Sequence, residues 1–174
     1  NIGREHEGTT LEGLSIAQGV HNNGGIVICQ VKRLARSGSI HPQMVKIPGF
    51  LVDHIVVDEN QGQTFGTDFD PSVCGELPRP LATIEPDPLN ARRVMALYPG
   101  AVLNVGVGVS AGIPNVAAEE GISDLFVLTG EAGIIGGVPR SGLDFGSAFN
   151  PTAIVDQPYQ FDLYDGGGLD VAFV

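Results

Sequence analysis

Residues Ala101 to Gly130, AVLNVGVGVSAGIPNVAAEEGISDLFVLTG, decide the fold. "AVLNVG" is a short apolar run closed by Gly106 and Gly108, and it reads as a strand running into a tight turn. Ile113 to Glu120 then reads as a helix with Gly121 just past its end. "DLFVLTG" is a second buried strand. Strand, glycine turn, helix, strand is a βαβ unit with its two strands parallel.

Outward from this unit the pattern holds in both directions. Upstream, "PLNARRVMALYPG" reads as a helix closed by Pro99 and Gly100. Downstream, Gly130 to Asn150 is a glycine-rich loop, and Ala153 to Val155 is apolar and extended. Pro158 opens a short helix running to Tyr164, Gly166 to Gly168 stop it, and Leu169 to Val174 is a last strand. Nearer the start, Thr9 and Glu12 have capping-box spacing. Leu11, Leu14, Ala17 and Val20 follow at helical intervals until Gly24 and Gly25 end the run. Ile26 to Val31 reads as a short buried strand. In "VKIPGFLVDHIVVD", Pro48 and Gly49 interrupt a β-rich run before a strand over Val52 to Val57.

Between these halves, Glu59 to Pro88 is polar, carries Pro71, Pro78, Pro80, Pro86 and Pro88, and has no periodicity. Structureless stretches of that length are uncommon inside one compact domain, so it reads as a linker. The expected fold class is α/β, with open, largely parallel sheet lobes and flanking helices. Residues 1–58 form one lobe, 59–88 the linker and 89–174 a second lobe.

Composition removes several functions. In 174 residues the net charge is -11 with nine Lys and Arg, which argues against a nucleic-acid surface, since phosphate binding rests on clustered cations. No apolar run approaches the roughly 20 residues of a membrane span, and the start lacks the layout of a signal peptide, so a cytoplasmic protein is expected. Cys29 lies in an apolar strand-like run and Cys74 in a loop, which is no metal pattern. His6, His21, His41 and His54 make no i, i+4 pair, so no metal is expected. The chain begins at Asn1 and ends in an interrupted strand, "LDVAFV", as a piece of something longer would.

The chemistry gathers at "VLTGEAGIIGGVP", Val127 to Pro139. Glu131 is the only ionisable side chain between Asp124 and Arg140 and stands at the end of a buried strand. A lone glutamate in a loop is usually solvated and idle. Two functional readings compete. Gly106, Gly108 and Gly112, followed by an acid about 20 residues on, resemble a dinucleotide fingerprint; that reading needs a second crossover helix after Glu131. There the sequence instead holds Gly133, Gly136, Gly137, Pro139, Gly142 and Gly146, which exclude a helix. In the other reading both glycine turns end adjacent parallel strands and face one crevice. Glu131 then projects among backbone N–H groups able to hold an oxyanion, and acts as a nucleophile on a carbonyl carbon. Asn104, at the end of the first strand, reads as a strand-end cap, and Arg92 and Arg93 as a solvated helix face.

The blocks "VLNVGVGV", "VAAEEG", "LFVLTGEAGIIGGVP", "GLDFGSAFNP" and "AIVDQPYQFDLYDGGGLDVAF" resemble the family I coenzyme A transferases, within them the fused acetate and propionate type. "GGIVICQVKRLA" and "VKIPGFLVDHIVV" are similar to the closing part of that family's first domain. The resemblance implies two related α/β lobes with the active site between them. It also implies transfer of coenzyme A between an acyl-CoA and a short-chain carboxylate, with Glu131 as nucleophile and a glutamyl-CoA thioester as intermediate. Gly106 and Gly108 would offer donors near the reacting carbonyl, Gly136 and Gly137 would let CoA approach, and Gly167 would lie near its thioester end. No metal or redox cofactor is implied, coenzyme A being a substrate, and the full-length chain would form a homo-oligomer. Ser110 departs from the family's pattern, which has proline there, and most of the first domain lies outside this sequence. A folded chain that is inactive alone is a third reading.

Overall fold

The computed structural model describes residues 2–3, 12–61, 68, 70–80, 98–140 and 142–174. Thr9, half of the expected capping box, and most of the expected helix between Pro88 and Gly100 lie outside them. The chain divides into two compact units, the first holding the described residues up to 68 and the second Asp70 to Val174.

In the first unit, β1 (Ile2–Gly3) pairs antiparallel with β3 (Val45–Ile47), and β2 (Ile28–Val31) pairs parallel with β4 (His54–Val57). Helix α1 (Gly13–Asn22) ends as the sequence requires. Gly24 takes φ +71°, and the Gly25 N–H donates to the Val20 carbonyl at 2.9 Å, satisfying one of the carbonyls a helix end leaves over. The Glu12 side chain makes no cap bond. One expectation is corrected: the strand at Ile26 to Val31 is not buried. Ile28 is 62% exposed, and on β4 both Ile55 and Val56, which point to opposite faces, are about half exposed. A two-stranded ribbon covered only in part among the described residues buries neither face fully.

The second unit is built on a five-stranded sheet. Within it, β5 (Val102–Val105) runs parallel to both β6 (Val127–Gly130) and β11 (Val171–Phe173). Between β5 and β6 lies helix α2 (Ile113–Glu119), with Pro114 in its first turn where no N–H is missed. The expected βαβ unit is thus present. Beyond β6 the sheet turns antiparallel: β7 (Ile134–Ile135) folds back on β6, and β10 (Ala153–Ile154) pairs with β7. Between them β8 (Val138–Pro139) and β9 (Ala148–Phe149) form a separate small ribbon. Helix α3 (Gln157–Leu163) leads through a one-turn π segment, Tyr164–Gly168, into β11.

Strand alternation divides the work of the sheet's two faces. Leu103, Val105 and Leu128 pack against Ile113, Val116 and Ala117 of α2 and form the core. Burying each large aliphatic side chain there stabilises by about 1.5 to 3 kcal/mol. The intervening residues, Asn104 and its register partner Thr129, face the other way, and Thr129 meets Tyr164 just beyond α3. That second face carries the polar groups.

Candidate active site

Glu131 follows directly on β6, in the three-residue loop of the β6–β7 hairpin, where Gly130 pairs with Ile134. The loop closes because Gly133 takes φ +101° and returns its N–H to the Gly130 carbonyl at 3.0 Å. Glycine is required there: a β-carbon on Gly133 would lie 1.9 Å from the Val155 carbonyl oxygen. Ala132, Gly133 and Ile134 are buried while Glu131 is exposed. A short rigid loop therefore presents one carboxylate at the carboxyl edge of a parallel strand pair, the usual ligand position in such sheets.

Beneath the loop a run of polar groups holds its first peptide. The Gln160 amide donates from Nε2 to the Gly130 carbonyl at 2.8 Å and to the Tyr164 hydroxyl at 2.6 Å. That hydroxyl lies 2.6 Å from Thr129 Oγ1, which donates to the Leu103 carbonyl at 2.8 Å. Gln160 and Thr129 are each at most 2% exposed, so these bonds form away from competing water. Gln160 on α3 and Tyr164, the first residue beyond it, are four apart, which brings their side chains together.

Asn104 donates from Nδ2 to Glu131 Oε1 at 3.4 Å, across 27 residues of chain, and its own Oδ1 is buried with no partner among the described residues. The sequence reading as a strand-end cap missed this contact. The available signal was alternation: Asn104 is the polar residue between Leu103 and Val105, so a strand that buries those two must turn Asn104 to the opposite face.

The glycines expected at the site divide. At Gly106 the N–H donates to the Phe173 carbonyl at 2.7 Å, so this donor is spent on β11. The N–H groups of Val107 and Gly108 have no acceptor among the described residues, and Gly108, at φ +100°, has nothing within 4 Å of where a β-carbon would stand. That turn follows β5, the strand beside Glu131's own. Gly136 and Gly137 are occupied by the chain itself: β-carbons there would fall 2.5 Å from Thr152 Oγ1 and 2.3 Å from the Phe149 carbonyl. Local packing accounts for both of these glycines. Gly167, at φ +86° and open, precedes the amino end of β11. Since β11 runs parallel to β5 and β6, Gly167 lies at the opposite edge of the sheet from Glu131. The structure brings Glu131 and the 106–108 turn together and leaves Gly167 apart from them. Directly after Glu131 the chain folds back into β7 instead of entering a crossover helix, so the dinucleotide reading loses the crossover it needs.

Other candidate chemistry is sparse. Among the described residues no three His, Cys, Asp or Glu side chains gather as a metal would need. Cys29 and Cys74 are free thiols, and burial pushes both above the usual thiol range, away from the reactive thiolate. A cavity bounded by Val105, Leu128, Gly136 and Phe145 has room for about one water and is a packing gap rather than a substrate pocket. No helix among the described residues is long and apolar enough to cross a membrane.

No family model matches the chain. Acetate CoA-transferase YdiF of Escherichia coli O157:H7 is 45% identical over 98% of the chain, and caffeate CoA-transferase of Acetobacterium woodii is 42% identical over 99%. The chain spans about a third of the length of these relatives, 33% and 34%. The crystal structure of the YdiF apoenzyme superposes with a TM-score of 0.85 at 45% identity, covering 98% of this chain and 32% of that one. A YdiF thioester complex with CoA gives 0.83 at 44% identity, covering 98% and 34%.

Proposed function

Because this chain belongs with the coenzyme A transferases in sequence and in fold, we propose that it carries the nucleophile-bearing part of an enzyme moving coenzyme A between an acyl-CoA and a short-chain carboxylic acid. Glu131 attacks the thioester carbonyl, and the C–S bond breaks to release CoA thiolate. The resulting acyl-glutamyl anhydride is attacked by the thiolate at the glutamate's own carbonyl carbon. The first acid leaves as its carboxylate, and a glutamyl-CoA thioester remains. A second carboxylate reverses these steps, giving ping-pong kinetics.

The observation carrying this reading is the placing of Glu131: one carboxylate on a rigid loop, beside the turn that ends the adjacent strand, where the N–H groups of Val107 and Gly108 have no acceptor among the described residues. Donors held in position for a developing oxyanion contribute without reorganising during the reaction. Group transfer between thioester and carboxylate conserves the thioester's energy, so the scheme asks for no metal or redox cofactor. Water must stay out, or the intermediate hydrolyses. The reading places the enzyme in the cytoplasm as a homo-oligomer. It leaves a small acyl group as the substrate class, since one methylene changes discrimination by only about 1 to 3 kcal/mol.

The test is mass spectrometry of the protein at its full natural length, incubated with acetyl-CoA and then treated with borohydride. Reduction confined to the peptide containing Glu131, absent in Glu131→Ala, supports covalent transfer, and Glu131→Ala should lose turnover by about 10⁴-fold or more. If Glu131 stays unmodified in the wild-type protein, the reading fails.

A further inference from the structure

We propose that Gln160 is a positioning residue for the reaction: through the Gly130 carbonyl it holds the peptide that carries Glu131, and Tyr164 and Thr129 lock it to β5. The proposal rests on the reading of Glu131 as nucleophile. Glu131 is exposed, so packing does not hold its side chain, and its aim depends on the backbone. The atoms of a peptide from one Cα to the next lie in one plane. The Gly130 carbonyl oxygen therefore locates the Glu131 Cα. That oxygen is held from two sides, by Gln160 Nε2 at 2.8 Å and by the Gly133 N–H at 3.0 Å.

The proton positions along this run follow from its far end. The Leu103 carbonyl can only accept, so the single O–H of Thr129 goes to it, at 2.8 Å. Thr129 Oγ1 must then accept from the Tyr164 hydroxyl, 2.6 Å away, and the Tyr164 oxygen in turn accepts from Gln160 Nε2, also at 2.6 Å. The Gly130 carbonyl makes the same demand of Gln160. Both neighbours call for the NH₂ group, and both of its N–H bonds are used. Gln160 Oε1 is left buried with no partner among the described residues, in a side chain only 2% exposed. A stranded buried oxygen costs free energy, and native structures rarely keep one without cause. The cause here is that the other end of the amide is committed twice.

The two ends of the run are the backbone groups that matter to the site. Gly130 ends β6 immediately before Glu131, and Leu103 lies on β5, the strand that runs into the 106–108 turn. Gln160 thus ties the backbone of the nucleophile to the strand that leads to the open donors, from the face of the sheet opposite the core. A reacting carboxylate has to meet a carbonyl carbon at about 3 to 3.5 Å, and a misplacement of about 1 Å costs about 10²-fold in rate. Without the Gln160 amide the Gly130–Glu131 peptide keeps only the Gly133 N–H and can turn about its two flanking bonds. Gln160 is buried and meets no substrate, so its loss falls on the chemical step and not on the affinity for acyl-CoA.

The experiment is single-turnover formation of the glutamyl-CoA thioester over a range of acetyl-CoA concentrations, in the protein at its full natural length, followed by quenching and mass spectrometry. For Gln160→Leu the expected result is a limiting rate constant about 10-fold to 100-fold lower, with half-saturation within about threefold of wild type. A merely structural role would lower the fraction of protein that reacts, which the amplitude reports, and leave the rate constant of the folded fraction unchanged. Tyr164→Phe keeps the ring and its edge-on contact with Phe161, 5.5 Å between centres, and removes only the hydroxyl; a slowing of about 3-fold to 10-fold is expected. It decides the matter if the leucine variant fails to fold. Because Tyr164 acts through Gln160, the double variant should be no slower than Gln160→Leu alone, whereas independent roles would multiply the two effects. A rate constant within twofold of wild type in either folded variant, or multiplied effects in the double variant, overturns the proposal. A wild-type protein that forms no adduct at Glu131 overturns instead the reading on which it rests.

Discussion

At Gly137 a β-carbon would lie 2.3 Å from the Phe149 carbonyl oxygen, whereas at Gly108 it would meet nothing within 4 Å, although both residues hold positive φ, +75° and +100°. In the sequence the two stretches look alike, a pair of glycines after or beside a buried strand. One is glycine because its own chain fills the space, the other because the backbone must turn there while the space stays empty. An empty space beside unspent N–H groups is what a ligand needs, and the filled one is what a fold needs. A glycine's meaning is therefore read from what stands where its side chain would be, and a motif match does not supply that.

Substitutions break the comparison most sharply where the space is filled. Gly133→Ala and Gly137→Ala each combine left-handed strain with a clash against backbone, neither of which a rotamer change relieves. The expected loss is about 2 to 6 kcal/mol each, Gly133 being the worse, out of the roughly 5 to 15 kcal/mol that holds a domain together. Urea denaturation measures it. A loss under 1 kcal/mol at Gly137 would show that the Phe149 segment yields easily and that the pair is not required by packing. At Gly108 the ranking of stability and activity inverts. Gly108→Ala meets only backbone strain, about 1 kcal/mol, while displacing the Val107 and Gly108 donors should lower turnover by about 10-fold to 100-fold. Equal losses of stability at Gly108 and Gly137 would erase the distinction.

What was legible in the sequence follows the same division. Period and punctuation located β5, α2, β6, α3 and β11, because these elements are set by local apolar spacing and by Pro and Gly at their ends. The run from Gly130 to Asn150 was read as loop, yet it holds β7, β8 and β9, each two residues long. Strands that short have no period to display and are fixed by cross-chain bonds such as Gly136 N–H to the Leu128 carbonyl, at 2.7 Å. Glu131 was legible as the one charge in an apolar stretch. Its partners were not: Asn104 lies 27 residues away, and the Gln160–Tyr164 pair reaches the hairpin only because α3 crosses the polar face of the sheet. Gly167 shows the same limit from the other side: its distance from Glu131 is set by the parallel course of β11, which local pattern does not display.

The smallest expected effect concerns what backs the filled turn. Asn150, which follows the Phe149 carbonyl, donates its N–H to the Ser72 carbonyl at 2.7 Å. Its side chain accepts the Arg79 N–H at 3.0 Å and donates to the Arg79 carbonyl at 2.9 Å. Arg79 lies over the Phe149 ring, 3.9 Å from its centre, and pairs with Asp70 at 2.7 Å. Asp70 closes this strap: the Ser72 hydroxyl, at 2.6 Å, holds its carboxyl below the usual range, with the Ser72 N–H and Arg79 adding to the effect. A carboxyl with a lowered folded pKa stabilises above its unfolded value, about 3.9, and loses that contribution as pH falls below it toward the folded value. The pair is partly solvated, with Arg79 44% exposed, so the contribution is under about 1 kcal/mol. In urea titrations from pH 5 down to pH 3, the wild type should lose its advantage over Asp70→Asn, and the two curves should converge at the acid end. The Asn150 amide should lose protection from hydrogen exchange over the same interval, while Gly106, whose bond to the Phe173 carbonyl does not involve Asp70, should keep its own. Parallel loss at both amides would mean that the filled turn has no separate brace, and that the second unit answers acid as a single body.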